Sequence, residues 1–172
     1  TAKPLHPTLC GYGGFLFVTK NASATTNYCT FKDNVAYSGG AVTVIGFYYG
    51  DNNTFQRNIA TDNVYMPNGG AILIGTSGYY SGNNNKFLDN ISDSGGAIIS
   101  SGQYYGDHNV FQNNRSYEGG AIYILGNNAF YQGNFNLFQE NQILSGSTVG
   151  GGAIIVDRAI YWGDDNIFVS NN

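Results

Sequence analysis

The sequence predicts an all-β protein, a parallel β-helix (β-solenoid) of about six coils with 24 or more residues in each. Three observations carry that reading. A Gly-Gly pair followed by Ala and an aliphatic residue recurs at Gly39-Gly40-Ala41-Val42, Gly69-Gly70-Ala71-Ile72, Gly95-Gly96-Ala97-Ile98, Gly119-Gly120-Ala121-Ile122 and Gly151-Gly152-Ala153-Ile154, with a degenerate Gly13-Gly14-Phe15-Leu16 ahead of them. Each copy is followed 16 to 19 residues later by Phe-x-x-Asn: Phe31/Asn34, Phe55/Asn58, Phe87/Asn90, Phe111/Asn114, Phe138/Asn141 and Phe168/Asn171. No stretch shows the apolar period and capping signals of a helix. A unit this small cannot bury its own apolar face, so repetition implies a core shared between stacked neighbours.

Residues 1–12 match no repeat, and Pro4 and Pro7 oppose both ladder pairing and helix; they read as an arm or cap on a single solenoid domain, 13–172. The first coil runs from Gly13 to about Tyr37. In it Cys29 replaces the Asn that precedes the Phe by two residues in every later coil (Asn53, Asn85, Asn109, Asn136, Asn166). A Cys10–Cys29 disulfide stapling the arm to the first coil is the favoured reading, with a bond to a neighbouring chain as the alternative.

Successive Phe residues lie 24, 32, 24, 27 and 30 apart, so the basic unit is 24 residues and the extras fall at corners. Residues 61–68 and 143–150 lengthen the corner before Gly-Gly, and a smaller insertion spans about 127–132. Such a unit accommodates three short strands, and six coils spaced about 4.8 Å apart stack to about 30 Å. The first strand is Ala-Ile-x-Ile, whose alternation sends Ile72, Ile74, Ile122 and Ile124 inward. The second carries an aromatic pair: Tyr48-Tyr49, Tyr79-Tyr80, Tyr104-Tyr105, Phe130-Tyr131 and Tyr161-Trp162. The third is Asn-x-Phe-x-x-Asn, with Phe in the core and Asn at a bend. Gly-Gly supplies a tight corner.

Charged residues make up only 10% of the chain and aromatics 15%, a balance opposed to disorder. A net charge of −4 and pI near 4.8 give no basic stripe for nucleic acid and no polybasic patch for an anionic membrane. No apolar run is long enough for a membrane span. The chain begins at Thr1 with no signal peptide, which reads as a processed or excised polypeptide. Asn-x-Ser/Thr sequons begin at Asn21, Asn52, Asn90 and Asn114 and fit a secreted chain, so the expected location is extracellular or at a cell surface.

The recurrent Asn34, Asn58, Asn90, Asn114, Asn141 and Asn171 read as a structural ladder, hydrogen-bonded up and down the stack and to turn backbone, with Phe31, Phe55, Phe87, Phe111, Phe138 and Phe168 beneath it. A glycan cannot sit on an inward Asn, so Asn21 and Asn52 are the better glycosylation candidates. One ring of each aromatic pair must point outward, giving an exterior column for binding or assembly: Tyr49, Tyr80, Tyr105, Tyr131 and Trp162, or their pair partners. The third residue after Gly-Gly (Thr43, Leu73, Ile99, Tyr123, Ile155) also points outward, and its apolar bias implies lateral association.

Arg57 falls between Asp33 and Asp89 in neighbouring coils, a cross-coil ion pair. Asp51, Asp107 and Asp164 share a Gly-Asp corner in alternate coils, with Ser81 and Gly82 between the first two. A polysaccharide lyase on this fold needs clustered acids for calcium and a basic residue beside them, and that cluster is missing. His6 and His108 stand alone. The expectation is a non-enzyme with no cofactor, no metal and no nucleic-acid partner. Ice binding is a minor alternative, because the threonines form no column.

The pairing of Gly-Gly-Ala-[Ile/Val/Leu] with Phe-x-x-Asn resembles the repeat signature of the chlamydial polymorphic outer-membrane proteins. The resemblance covers residues 13–172 and implies a right-handed parallel β-helix displayed outside the cell and used in adhesion. The sequence departs from that family in lacking a C-terminal translocator barrel. Its last residues, Phe168 to Asn172, follow Phe-x-x-Asn with no polar cap, which reads as a segment of a longer solenoid or a subunit that self-associates head to tail into a fibre. The alternative function is an adhesive or carbohydrate-binding module, with a glycan or host-surface protein as partner.

Overall fold

The structure, a computed structural model, describes residues 14–61, 68–146 and 150–172. Cys10 and the 1–12 arm lie outside the described residues, as do parts of the two long corners. The described chain is all β, and each strand pairs in parallel with its counterparts one coil before and after. Three sheets hold six strands and a fourth holds five, giving five complete coils and a sixth that lacks its last strand.

Coil four shows the plan: Ile98–Ser100, Gln103–Tyr105, Val110–Gln112 and Arg115–Ser116. The fourth, two-residue strand corrects the expectation of three strands per coil. Its cause is the residue before the ladder Asn, which takes a left-handed backbone in every coil (Asp33, Arg57, Asp89, Asn113, Glu140, Ser170; φ 51 to 56°). That turn redirects the chain, so the next two residues form a sheet of their own, as Val35↔Ile59 and Ile91↔Arg115. A second left-handed residue precedes the upstream ladder position in every coil: Tyr28, Asn52, Asn84, His108, Phe135 and Asp165. None of these is Gly, so each carries a backbone cost of about 1 kcal/mol or more that the surrounding hydrogen bonds must offset.

The core is a set of columns. The five Phe–Phe steps from Phe31 to Phe168 stack with centroids 4.7 to 4.9 Å apart and planes within 8°. Ile72, Ile98 and Ile122 align beside them in the Gly-Gly sheet and are fully buried. Registry is kept across the long corners: Phe55 pairs with Phe87 although 32 residues separate them, so the inserted residues leave the stack undisturbed.

The two glycines of each pair do different jobs. Gly39, Gly69, Gly95 and Gly119 hold left-handed φ of 58 to 72°. Their followers are fixed by close approach, since a Cβ on Gly96 would meet the Gly120 carbonyl and stand 2.7 Å from the Arg115 nitrogen. The third residue of the Gly-Gly sheet is not outward along the whole column, and only Tyr123 and Ile155 of the five are partly exposed. Thr43, Leu73 and Ile99 are buried within the chain, a correction to the sequence expectation. These side chains pack back over the glycine corner: Thr43 Oγ1 donates to the Ser38 carbonyl at 3.2 Å. A Cβ on Gly119 would sit 3.2 Å from Tyr123 Cβ, and one on Gly151 would sit 3.0 Å from Ile155 Cγ1.

Candidate functional site

The tyrosine sheet and its flanking bends concentrate the chain's polar and aromatic order. At the Phe-x-x-Asn bend, Asn114 is typical: its Nδ2 donates to Phe87 O and Asn141 Oδ1, both at 2.9 Å. Its Oδ1 accepts from Asn90 N (3.1 Å) and Asn90 Nδ2 (2.9 Å). The same bonds link Asn34 to Asn58, Asn58 to Asn90, and Asn141 to Asn171. Asn90 and Asn114 are fully buried, whereas Asn21 and Asn52 are exposed at left-handed turns.

A second ladder runs through Asn53, Asn85, Asn109, Asn136 and Asn166, the backbone N–H of each of the first four donating to the next coil's Oδ1 at 2.7 to 2.8 Å. Cys29 stands in this column, exposed, with its N–H donating to Asn53 Oδ1 at 2.9 Å. Each Asn from Asn85 onward also donates to the tyrosine five residues earlier: Tyr80, Tyr104, Tyr131 and Tyr161, at 3.0 to 3.2 Å. In the second coil Tyr48 instead shares a 2.6 Å hydrogen bond with Thr26 Oγ1. Burial pushes the Tyr80, Tyr104 and Tyr131 phenols well above the ordinary tyrosine range. It raises Tyr48 to about 12 against the opposing pull of the Thr26 bond.

These contacts settle which ring of each pair faces in. Tyr48, Tyr80, Tyr104, Tyr131 and Tyr161 align as one inward column, four of them fully buried. Tyr80 and Tyr131 are therefore core residues and no part of an outer face, a correction to the sequence reading. Tyr49, Tyr105 and Trp162 do point outward, joined by Phe47, Tyr79 and Phe130. The inward ring comes first in some pairs and second in others, so the outward rings zigzag across the sheet. Tyr79–Tyr105, Tyr105–Phe130 and Phe130–Trp162 lie 5.2 to 5.4 Å apart.

A third column, of which the sequence reading found the acids in alternate coils but not the amides between them, runs through Asn27, Asp51, Asn83, Asp107, Asn134 and Asp164. From Asn27 to Asn134 each Oδ1 accepts the backbone N–H of the next coil at 2.7 to 3.0 Å. Asn83, not Ser81 or Gly82, stands between Asp51 and Asp107. Alternation keeps like charges two coils apart, where direct neighbours would repel. Nearby, Arg57 forms a two-pronged pair with Asp33 at 2.8 and 3.0 Å; both side chains are largely exposed, so its worth is under about 1 kcal/mol.

The outer side of coil six shows the solenoid in cross-section. Ile154, Tyr161, Asn166 and Phe168 line an open cavity of about 540 Å³ there. Phe168 is 52% exposed where its counterparts in coils two to five are fully buried. Among the described residues, no further coil meets the Asn166 and Asn171 N–H groups, which interior coils use to bind the next Oδ1.

Residues 110–125 match the family model of the Chlamydia polymorphic membrane protein repeat. The match takes in Phe111, Asn114 and Gly119-Gly120-Ala121-Ile122, running from the Phe strand through the ladder bend into the next Gly-Gly strand. The chain resembles the repeats of that family. No curated protein and no solved structure matches it.

Proposed function

We propose that this chain is a non-enzymatic structural solenoid displayed at a cell surface, extended by stacking further coils on coil six. Those coils belong to the same polypeptide or, head to tail, to a second copy. The observation that carries the reading is the direction of the ladders. Along both Asn columns the ladder Asn's backbone N–H donates to the next coil's Oδ1, so coil six presents the donors and ring faces that another copy of the repeat satisfies. The repeat match and the exposure of Asn21 and Asn52 support a location outside the cell.

Analytical ultracentrifugation over a wide concentration range, with cryo-electron microscopy of the concentrated sample, tests the head-to-tail form. Association and an axial rise of about 4.8 Å running unbroken across subunit boundaries are expected, and Phe168→Glu should abolish both. A monodisperse monomer at high concentration that behaves identically with and without Phe168→Glu would overturn head-to-tail stacking.

A further inference from the structure

The outer face of the tyrosine sheet is a narrow strip with a regular chemistry. Its six strands each send two side chains outward, and none of the twelve is charged. In the three middle coils each rung sets one aromatic ring beside one neutral hydrogen-bonding group, and the two swap sides between rungs: Tyr79 with Ser81, Tyr105 with Gln103, Phe130 with Gln132. Phe47 and Tyr49 continue the strip at one end and Trp162 at the other, between 41% and 61% exposed.

The outward rings are not packed as the inward ones are. Inside, the Phe rings lie within 8° of parallel, those of coils two to five with a neighbour on both faces, and the inward tyrosines from Tyr80 to Tyr161 lie within 23°, with Tyr48–Tyr80 inclined by 40°. Outside, successive rings from Tyr79 to Trp162 are inclined by 31 to 81°, which leaves ring surface open to a ligand. We propose that this strip is a binding platform for a neutral, linear polysaccharide lying along the solenoid axis. The C–H face of a sugar ring packs on an aromatic ring, while its hydroxyls exchange hydrogen bonds with Gln103, Gln132 and Ser81, the amides both donating and accepting. The lack of charge selects a neutral polymer, since a uronic acid or sulfate would be desolvated with no cation to meet it.

Size decides between a glycan and a folded protein partner. Five intervals between the six strands at about 4.8 Å give a strip about 24 Å long, and two outward positions make it about 7 Å wide. That footprint of about 170 Å² is far below the ~800 Å² per partner of a stable protein interface. It suits an extended chain a single sugar wide.

The test is affinity electrophoresis of the whole chain through gels containing hydroxyethyl cellulose, mixed-linkage β-glucan or galactomannan, with polygalacturonate and heparin as charged comparators. At least one neutral polymer should retard the protein, with little dependence on salt. Tyr105→Ser should weaken that binding at least about tenfold, as should the double variant Gln103→Ala/Gln132→Ala, which leaves every ring in place. Thermal unfolding of each variant shows whether the fold survives. Migration unaffected by all three neutral polymers, stronger retention by the charged ones, or retention that both variants leave unchanged would each overturn the proposal. Phe168→Glu, which tests end-on stacking, should leave glycan retention as it is, so the two readings fail separately.

Discussion

Replacing Asn114 by Ala probes the feature on which the stack depends most. The substitution removes four side-chain hydrogen bonds: two donated by Nδ2, to Phe87 O and Asn141 Oδ1, and two accepted by Oδ1, from Asn90 N and Nδ2. At about 1 kcal/mol net for each, the loss is about 4 kcal/mol. The Asn114 backbone N–H keeps its 3.1 Å bond to Asn141 Oδ1, and Asn90 Nδ2 keeps Phe55 O, so local rescue is partial. Within Asn114's bonds the Asn90 N–H becomes a buried donor with nothing to replace its acceptor, which holds the cost at the upper end for a single hydrogen-bonding residue. Asn171→Ala removes three bonds at a half-buried position and should cost clearly less. Urea unfolding followed by circular dichroism measures the difference, with exposed Arg115→Ala as a control expected within about 0.5 kcal/mol of the parent. Stacked repeats need not unfold in one step, so amide exchange at residues 87–141 should accompany the melt and show the loss centred on coils three to five. If Asn114→Ala unfolds within about 0.5 kcal/mol of Arg115→Ala, the ladder does not hold the coils together.

Alkaline pH should unfold the protein through its tyrosines. The folded pKa values of Tyr48, Tyr80, Tyr104 and Tyr131 lie above the unfolded value of 10.0, so their contribution is complete below pH 10 and falls as pH rises toward the folded values. Each contributes a slope of up to about 1.4 kcal/mol per pH unit, and their phenolate absorbance should emerge only with loss of the fold. Asn83→Asp should place three carboxylates in consecutive coils, lowering the melting temperature at neutral pH; added salt or acid should restore most of the loss, and an unchanged melt would dismiss the value of alternation. Gly96→Ala drives a Cβ into the backbone of the neighbouring coil and should cost about 3 kcal/mol or prevent folding, while Gly126→Ala, with nothing within 4 Å of its Cβ, should cost only its backbone strain.

The solenoid and its Phe and Asn columns are legible in the sequence because their spacing repeats whatever the corner length. The inward tyrosine is legible too, though not from the aromatic pair, which is ambiguous by one residue. It is fixed by a constant interval of five residues to the ladder Asn: Tyr48 to Asn53, Tyr80 to Asn85, Tyr104 to Asn109, Tyr131 to Asn136, Tyr161 to Asn166. Counting back from that Asn also places Asn83 opposite Asp51, whereas alignment on Gly-Asp sets Ser81 and Gly82 there and hides the alternating column. Other features leave no such trace. A two-residue strand such as Arg115–Ser116 is too short for periodicity. The left-handed bends at Tyr28, Arg57, His108 and Phe135 are imposed by ladder bonds on either side and not by residue type, so the usual Gly or Asn signal is absent. The burial of Leu73 and Ile99 depends on side chains folding back over a corner, which alternation along a strand does not encode.

The register from Phe87 to Phe111 has a mechanical consequence. Those residues are 24 apart along the chain and one coil apart along the axis. A force drawing on one end of the polypeptide unwinds about 80 Å of contour from a layer about 4.8 Å thick. Because each coil is bonded chiefly to its two neighbours, layers should yield one after another, each rupture relaxing the tension before the next begins. Under a pulling tether the molecule would behave as a spool, lengthening more than tenfold in discrete steps while the coils still wound remain intact.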